Sequence, residues 1–126
     1  MELVPNLCNV VRAVLRKDEI DSLTGAFTPQ AFMRRRDSQD RLTEEGLSVE
    51  KEGARTYSEI AASFKKCRAL AQLQTGNIRN LGLDVISAPL PHNLSHAEIR
   101  GIPDDIEKEE QFARSLRDLA TKVFPP

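Results

Sequence analysis

The sequence predicts an α+β domain: a small antiparallel sheet with two to four helices, forming a single domain over residues 1–126. Three observations predict it. Thr56-Tyr57-Ser58-Glu59 matches a capping box and is followed by apolar residues at helical spacing. Two short segments of strand character, residues 83–87 and 96–100, flank the loop Pro89-Leu90-Pro91-His92-Asn93. A stretch from about residue 103 to 123 carries an apolar stripe at helical period behind an acidic start.

Each element follows from the order of its residues. In residues 5–17, Leu7, Val10, Val11, Val14 and Leu15 fall at i, i+3, i+4, i+7 and i+8, which favours a helix. The β-branched cluster around Arg12 offers a buried strand as the alternative. Residues 18–46 are polar and turn-rich, with one apolar patch at Ala26-Phe27 and Ala31-Phe32-Met33. Gly46-Leu47-Ser48-Val49-Glu50 reads as a short strand leaving a turn. Behind the capping box, Ile60, Ala61, Phe64 and Cys67 predict a helix over residues 57–67. Residues 69–74 lose that period and move toward alternation, a strand. Thr75 is placed to cap a short helix over residues 76–81, which Gly82 ends in a left-handed conformation.

The second half continues in the same way. Two prolines deny the 89–93 loop its ladder donors. His96-Ala97-Glu98-Ile99-Arg100 alternates as a half-buried strand, suited to return antiparallel to residues 83–87. In the C-terminal segment, Pro103 suits a first helical turn and Asp104, Asp105 and Glu107 oppose the positive end of the helix dipole. Phe112, Leu116, Leu119, Ala120 and Val123 form its stripe.

Composition narrows the function classes. The 126 residues hold 18 Lys+Arg against 19 Asp+Glu, a net charge of -1, which argues against a dedicated nucleic-acid binder. With no Trp, one Tyr and five Phe there is no aromatic platform for stacking bases. No apolar run reaches membrane-spanning length, and residues 1–15 lack the features of a signal peptide, so a cytoplasmic protein is expected. Cys8 and Cys67 stand alone, and with His92 and His96 they would form a zinc site only by tertiary coincidence. No metal and no cofactor are expected.

The chemistry-bearing residues are few. Arg34, Arg35 and Arg36, with Arg41 nearby, are the strongest local charge feature and suit a phosphate or acidic partner. A solvated loop balanced by Asp37, Asp40, Glu44 and Glu45 is the plainer reading. His96 is a candidate general base with Glu98 two residues on, on the same strand face; a structural histidine is the alternative. Ser48 lacks the Gly-x-Ser-x-Gly elbow of hydrolases.

Several pieces together resemble a known group. Ala31-Phe32, Gly46-Leu47-Ser48-Val49, Leu81-Gly82-Leu83, Pro89-Leu90-Pro91 and His96-Ala97-Glu98-Ile99 occur in the order seen in a group of small uncharacterised bacterial proteins. The resemblance spans about residues 10–101 and implies a bacterial, cytoplasmic protein. The order of Arg12, Ser48 and Glu98 also resembles, by residue type alone, enzymes of the ADP-ribosyltransferase kind. That likeness implies Arg12 gripping a phosphate, Ser48 positioning a ribose and Glu98 polarising a ribose hydroxyl.

Two functions are therefore expected. The first is a protein-interaction module, with a protein partner or a homodimer through the stripe of the C-terminal helix. The alternative is a small transferase or hydrolase with Arg12, Ser48, His96 and Glu98 around one pocket.

Overall fold

The computed structural model describes residues 2–126. Its strands are β1 (Asn9–Val14), β2 (Leu47–Lys51), β3 (Ala69–Gln74), β4 (Asp84–Ser87), β5 (His96–Arg100) and β6 (Thr121–Phe124). Its helices are α1 (Tyr57–Ala62), α2 (Thr75–Asn80) and α3 (Ile106–Leu119), joined by 3₁₀ turns at Lys17–Glu19 and Pro29–Phe32. The strands form one sheet in the order β4-β5-β2-β1-β3-β6, and every pairing is antiparallel. The fold is α+β. No helix is long and apolar enough to cross a membrane among the described residues.

The two faces of the sheet are covered unequally. On one, Val10, Val14, Leu47, Val49, Val85 and Ile99 pack against α2, α3 and the Pro29–Phe32 turn, with Phe32, Ile78 and Leu116 fully buried. On the other, Val11, Ala13 and Leu70 meet Ile60 of the short α1, with Tyr57, Val123 and Phe124 at the margin. One outer edge is shielded: Val4 N–H donates to Val85 O and Leu3 bridges Ile86 on β4.

Within residues 5–17 the chain forms the strand β1, Asn9–Val14, rather than a helix. β1 is central, paired with β3 along its whole length from Asn9↔Gln74 to Val14↔Ala69. Because both its faces are covered, Val10 and Val11 are buried as neighbours, and that two-sided burial imitates a helical i, i+1 pair. The capping box is present: Glu59 N–H donates to Thr56 Oγ1 at 3.1 Å and Thr56 N–H to Glu59 Oε1 at 2.8 Å. The helix it starts ends at Ala62, five residues short of Cys67, because Ser63 Oγ donates to Ile60 O and turns the chain back. Thr75 lies inside α2, and Gln74 occupies the cap position without a side-chain bond. Gly82 has the expected positive φ of 89°. The C-terminal helix, expected over about 103–123, runs from Ile106 to Leu119: Asp105 is its cap, so Pro103 and Asp104 precede it, and residues 121–124 extend instead as β6 against β3.

One irregularity in the sheet matters most. The β1–β2 ladder runs over Val10↔Lys51 and Val11↔Glu50, with Glu52 N–H donating to Asn9 O, and goes no further. Beyond it, Leu47, Ser48 and Val49 pair with β5 alone, and Arg12, Ala13 and Val14 with β3 alone. The sheet is split at its centre.

Candidate functional site

Arg12 is wedged into this split and is completely buried. Its Nε donates to Ala31 O at 3.1 Å, Nη1 to Ser48 O at 2.9 Å and Glu44 Oε2 at 2.8 Å, and Nη2 to Met33 O at 3.2 Å. Glu44 completes the seam by accepting from Ser48 N–H at 3.0 Å and Arg35 N–H at 2.7 Å. The pair thus supplies the partners that Ser48 would otherwise take from β1. Burial pushes the Glu44 carboxyl up, but the Arg12 charge and the hydrogen bonds from Arg12, Arg35 and Ser48 outweigh it and hold the group at about 2. Burial likewise pulls the Arg12 guanidinium below its ordinary value, against the opposing pull of Glu44.

The split opens on the thinly covered face into a cleft of about 330 Å³. Its floor is Val11 and Ala13 of β1 with Ser48 and Glu50 of β2 and His96 of β5; its walls are Ile60, Ser63 and Phe64 on one side and Leu90, His92 and Asn93 on the other. Arg35, Glu44, Val49 and Arg55 complete the lining. Glu50 is directly opposite His96 in the register and is held by Arg55 and by Asn93 Nδ2 at 3.1 Å. Hydrogen bonding to Glu50 raises the Arg55 guanidinium above its ordinary value against a smaller opposing effect of burial. His96 Nδ1 lies 2.8 Å from Ala88 O. A carbonyl cannot donate, so Nδ1 carries the proton and Nε2 is the ring's accepting nitrogen when the imidazole is neutral.

The four residues expected around one pocket are divided. Ser48 and His96 line the cleft. Glu98 pairs with Ser48 in the register, but its carboxylate is taken by Arg100 Nε at 2.7 Å, and it is not part of the lining. Arg12 points to the helix-covered side of the seam, and its guanidinium is spent on backbone carbonyls and Glu44.

The arginine triplet is not one binding patch. Arg34, 7% exposed, is locked to α3: Nε donates to Glu109 Oε2 at 3.0 Å and Nη2 to Asp104 Oδ1 and Pro103 O, each at 3.1 Å. For Arg34 this corrects the reading of a solvated loop, because its balancing acid is Glu109, far along the chain and itself buried, whereas Arg41 pairs with Asp37 at the surface as expected. Arg35 Nη2 donates to Ala13 O at 2.7 Å and Glu19 Oε1 at 3.3 Å while its side chain faces the cleft. Arg36 lies 3.9 Å from Asp40 and 3.8 Å from Glu109.

The stripe of the C-terminal helix is also largely occupied. Leu116 is fully buried, Phe112 packs on the main core, and Val123 belongs to β6 on the opposite face. Sequence reasoning missed Glu44, Glu50, Arg55 and His92 as cleft or seam residues. Glu44 meets Arg12 and Glu50 meets His96 and Asn93 only through the folded sheet and loops, so no local motif announces them. No family model, no curated protein and no solved structure matches the chain.

Proposed function

We propose that the chain is a ligand-binding domain that takes a small organic molecule in the cleft at the split of the sheet. One observation carries this reading: a concave site of about 330 Å³ with Val11, Ala13, Ile60, Phe64 and Leu90 as its apolar surface, into which a few polar side chains converge. Its size is at the lower end of ligand pockets, roughly 300–1,000 Å³. Ser48 and His96 are its recognition points on the floor. A docking module built on the C-terminal stripe has less support, since Phe112 and Leu116 are consumed by the core. A catalytic quartet has less support too, since Arg12 and Glu98 are both engaged away from the cleft.

The test is a fragment screen on the full chain, read by amide chemical shifts. Binders are expected to move Val11, Ala13, Ser48, Ile60 and His96 together. Ala13→Leu projects extra bulk from the floor and is expected to abolish those shifts in a protein that still unfolds cooperatively. Shifts scattered over the surface, no binding fragment, or undiminished binding to the filled variant would overturn the proposal.

A further inference from the structure

Resting on that reading, we infer that the ligand is a small monocarboxylate with an apolar body, anchored on Arg55 Nη1. The inference comes from counting which polar atoms in the cleft are already spent. Both oxygens of Glu44 accept, from Arg12, Arg35 and Ser48. Both oxygens of Glu50 accept, from Arg55 and Asn93. Both carboxylates that line the cleft are therefore already paired with an arginine, Arg12 or Arg55, and a cationic ligand would have to compete with that arginine for them.

The donors are not saturated. Arg55 uses Nε and Nη2 on Glu50, which leaves both N–H groups of Nη1 without a hydrogen bond among the described residues. Its side chain is 29% exposed, so a ligand can reach it. Arg35 uses Nη2 on Ala13 and Glu19 and likewise makes no bond through Nη1. The Ser48 hydroxyl makes none either, and it can donate to a second oxygen. A carboxylate supplies acceptors to these free donors in charge-assisted form.

Charge balance disfavours a dianion. Arg12, Arg35 and Arg55 are each matched by one carboxylate, from Glu44, Glu19 and Glu50, so every charge a ligand brings is uncompensated. A monocarboxylate brings one, offset by charge-assisted bonds to Arg55 Nη1, whereas a phosphate dianion brings two at a larger desolvation cost. The apolar part of the ligand lies on Val11, Ala13, Ile60, Phe64 and Leu90.

The experiment titrates the full chain with four probes, followed by the cleft amides: 4-phenylbutyrate, 4-phenylbutyramide, 4-phenylbutylamine and inorganic phosphate. The carboxylate is expected to bind at least about tenfold tighter than its amide, the difference expected of one charge-assisted contact at about 1.4 kcal/mol per decade. The amine and phosphate are expected to leave the cleft unmoved. The double variant Arg55→Gln/Glu50→Gln keeps a neutral hydrogen-bonded pair in place. It is expected to bring the carboxylate down to the affinity of the amide, with the amide unchanged. Equal binding of acid and amide to the unaltered protein, preference for the amine or phosphate, or selectivity surviving in the double variant overturns the inference while leaving a ligand cleft in place. Absence of binding by the amide and the acid alike, with no binder in the fragment screen, removes the cleft reading itself.

Discussion

Replacing Glu44 with Gln tests the seam of the sheet. The substitution keeps the side-chain shape but removes the charge that faces the fully buried Arg12 at 2.8 Å. Two routes give the magnitude. The carboxyl sits at about 2 instead of 4.5, and at about 1.4 kcal/mol per pH unit that difference is about 3 kcal/mol of stability. Removing one partner of a buried ion pair costs about 3–5 kcal/mol. Both figures are a large fraction of the roughly 5–15 kcal/mol that holds a domain of this kind folded. The sign follows from the depressed value. A carboxyl lowered on folding contributes fully above its unfolded value and loses that contribution as pH falls through its folded value. The gap between wild type and Glu44→Gln should therefore be complete at pH 7, begin to close below about 4.5 and vanish near 2. Urea unfolding of both proteins from pH 7 down to 2.5 measures it. A gap under about 1 kcal/mol at pH 7, or one that does not narrow in acid, would refute the reasoning.

Further outcomes follow from single contacts. Thr56→Ala removes the capping-box acceptor and should cost about 1 kcal/mol by chemical denaturation. Thr75 is fully buried and its Oγ1 has no hydrogen-bond partner among the described residues, so Thr75→Val should be neutral or raise stability by up to about 1 kcal/mol; a clear loss would reveal a partner for that hydroxyl. Leu116→Ala opens a cavity under α3 and should cost about 2–5 kcal/mol, read as a lower urea midpoint at constant slope.

Much of the fold is legible in the sequence because most elements bury one side. β5 alternates cleanly, with Ala97 and Ile99 buried between half-exposed His96, Glu98 and Arg100, and it pairs with β4 as its pattern implies. The failures share a cause. β1 is covered on both faces, so alternation is erased and only its β-branched content remains as a signal. β6 continues the spacing of the helix stripe by coincidence: Val123 falls at helical distance from Leu119, yet the chain turns extended at Ala120, with ψ of 146°. In the cleft, Ser48 and His96 were identifiable by residue type. Glu44, Glu50 and Arg55 became meaningful only when register placed Glu50 opposite His96 and the loop brought Glu44 to Ser48. Arg12 stood out as the single charge inside an apolar run, a sound signal of importance. In the structure it fills the gap between two strands.

That gap makes the Arg12–Glu44 pair different from an ordinary buried ion pair. Such a pair can often be replaced by apolar residues of similar volume at no net loss. Here the two side chains also satisfy backbone groups: the carbonyls of Ala31, Met33 and Ser48 and the N–H groups of Arg35 and Ser48. Converting both to Met would relieve the charge burial but orphan those groups, at about 1–3 kcal/mol for each one left unpaired. The sum reaches the whole stability of a domain. Arg12→Met/Glu44→Met is therefore expected to lose cooperative unfolding, a worse outcome than Glu44→Gln alone. A double variant with near-normal stability would mean that β1 and β2 zip closed once the wedge is gone. In that event the cleft lying over the split should disappear with it, and the fragments that bind the natural protein should no longer bind.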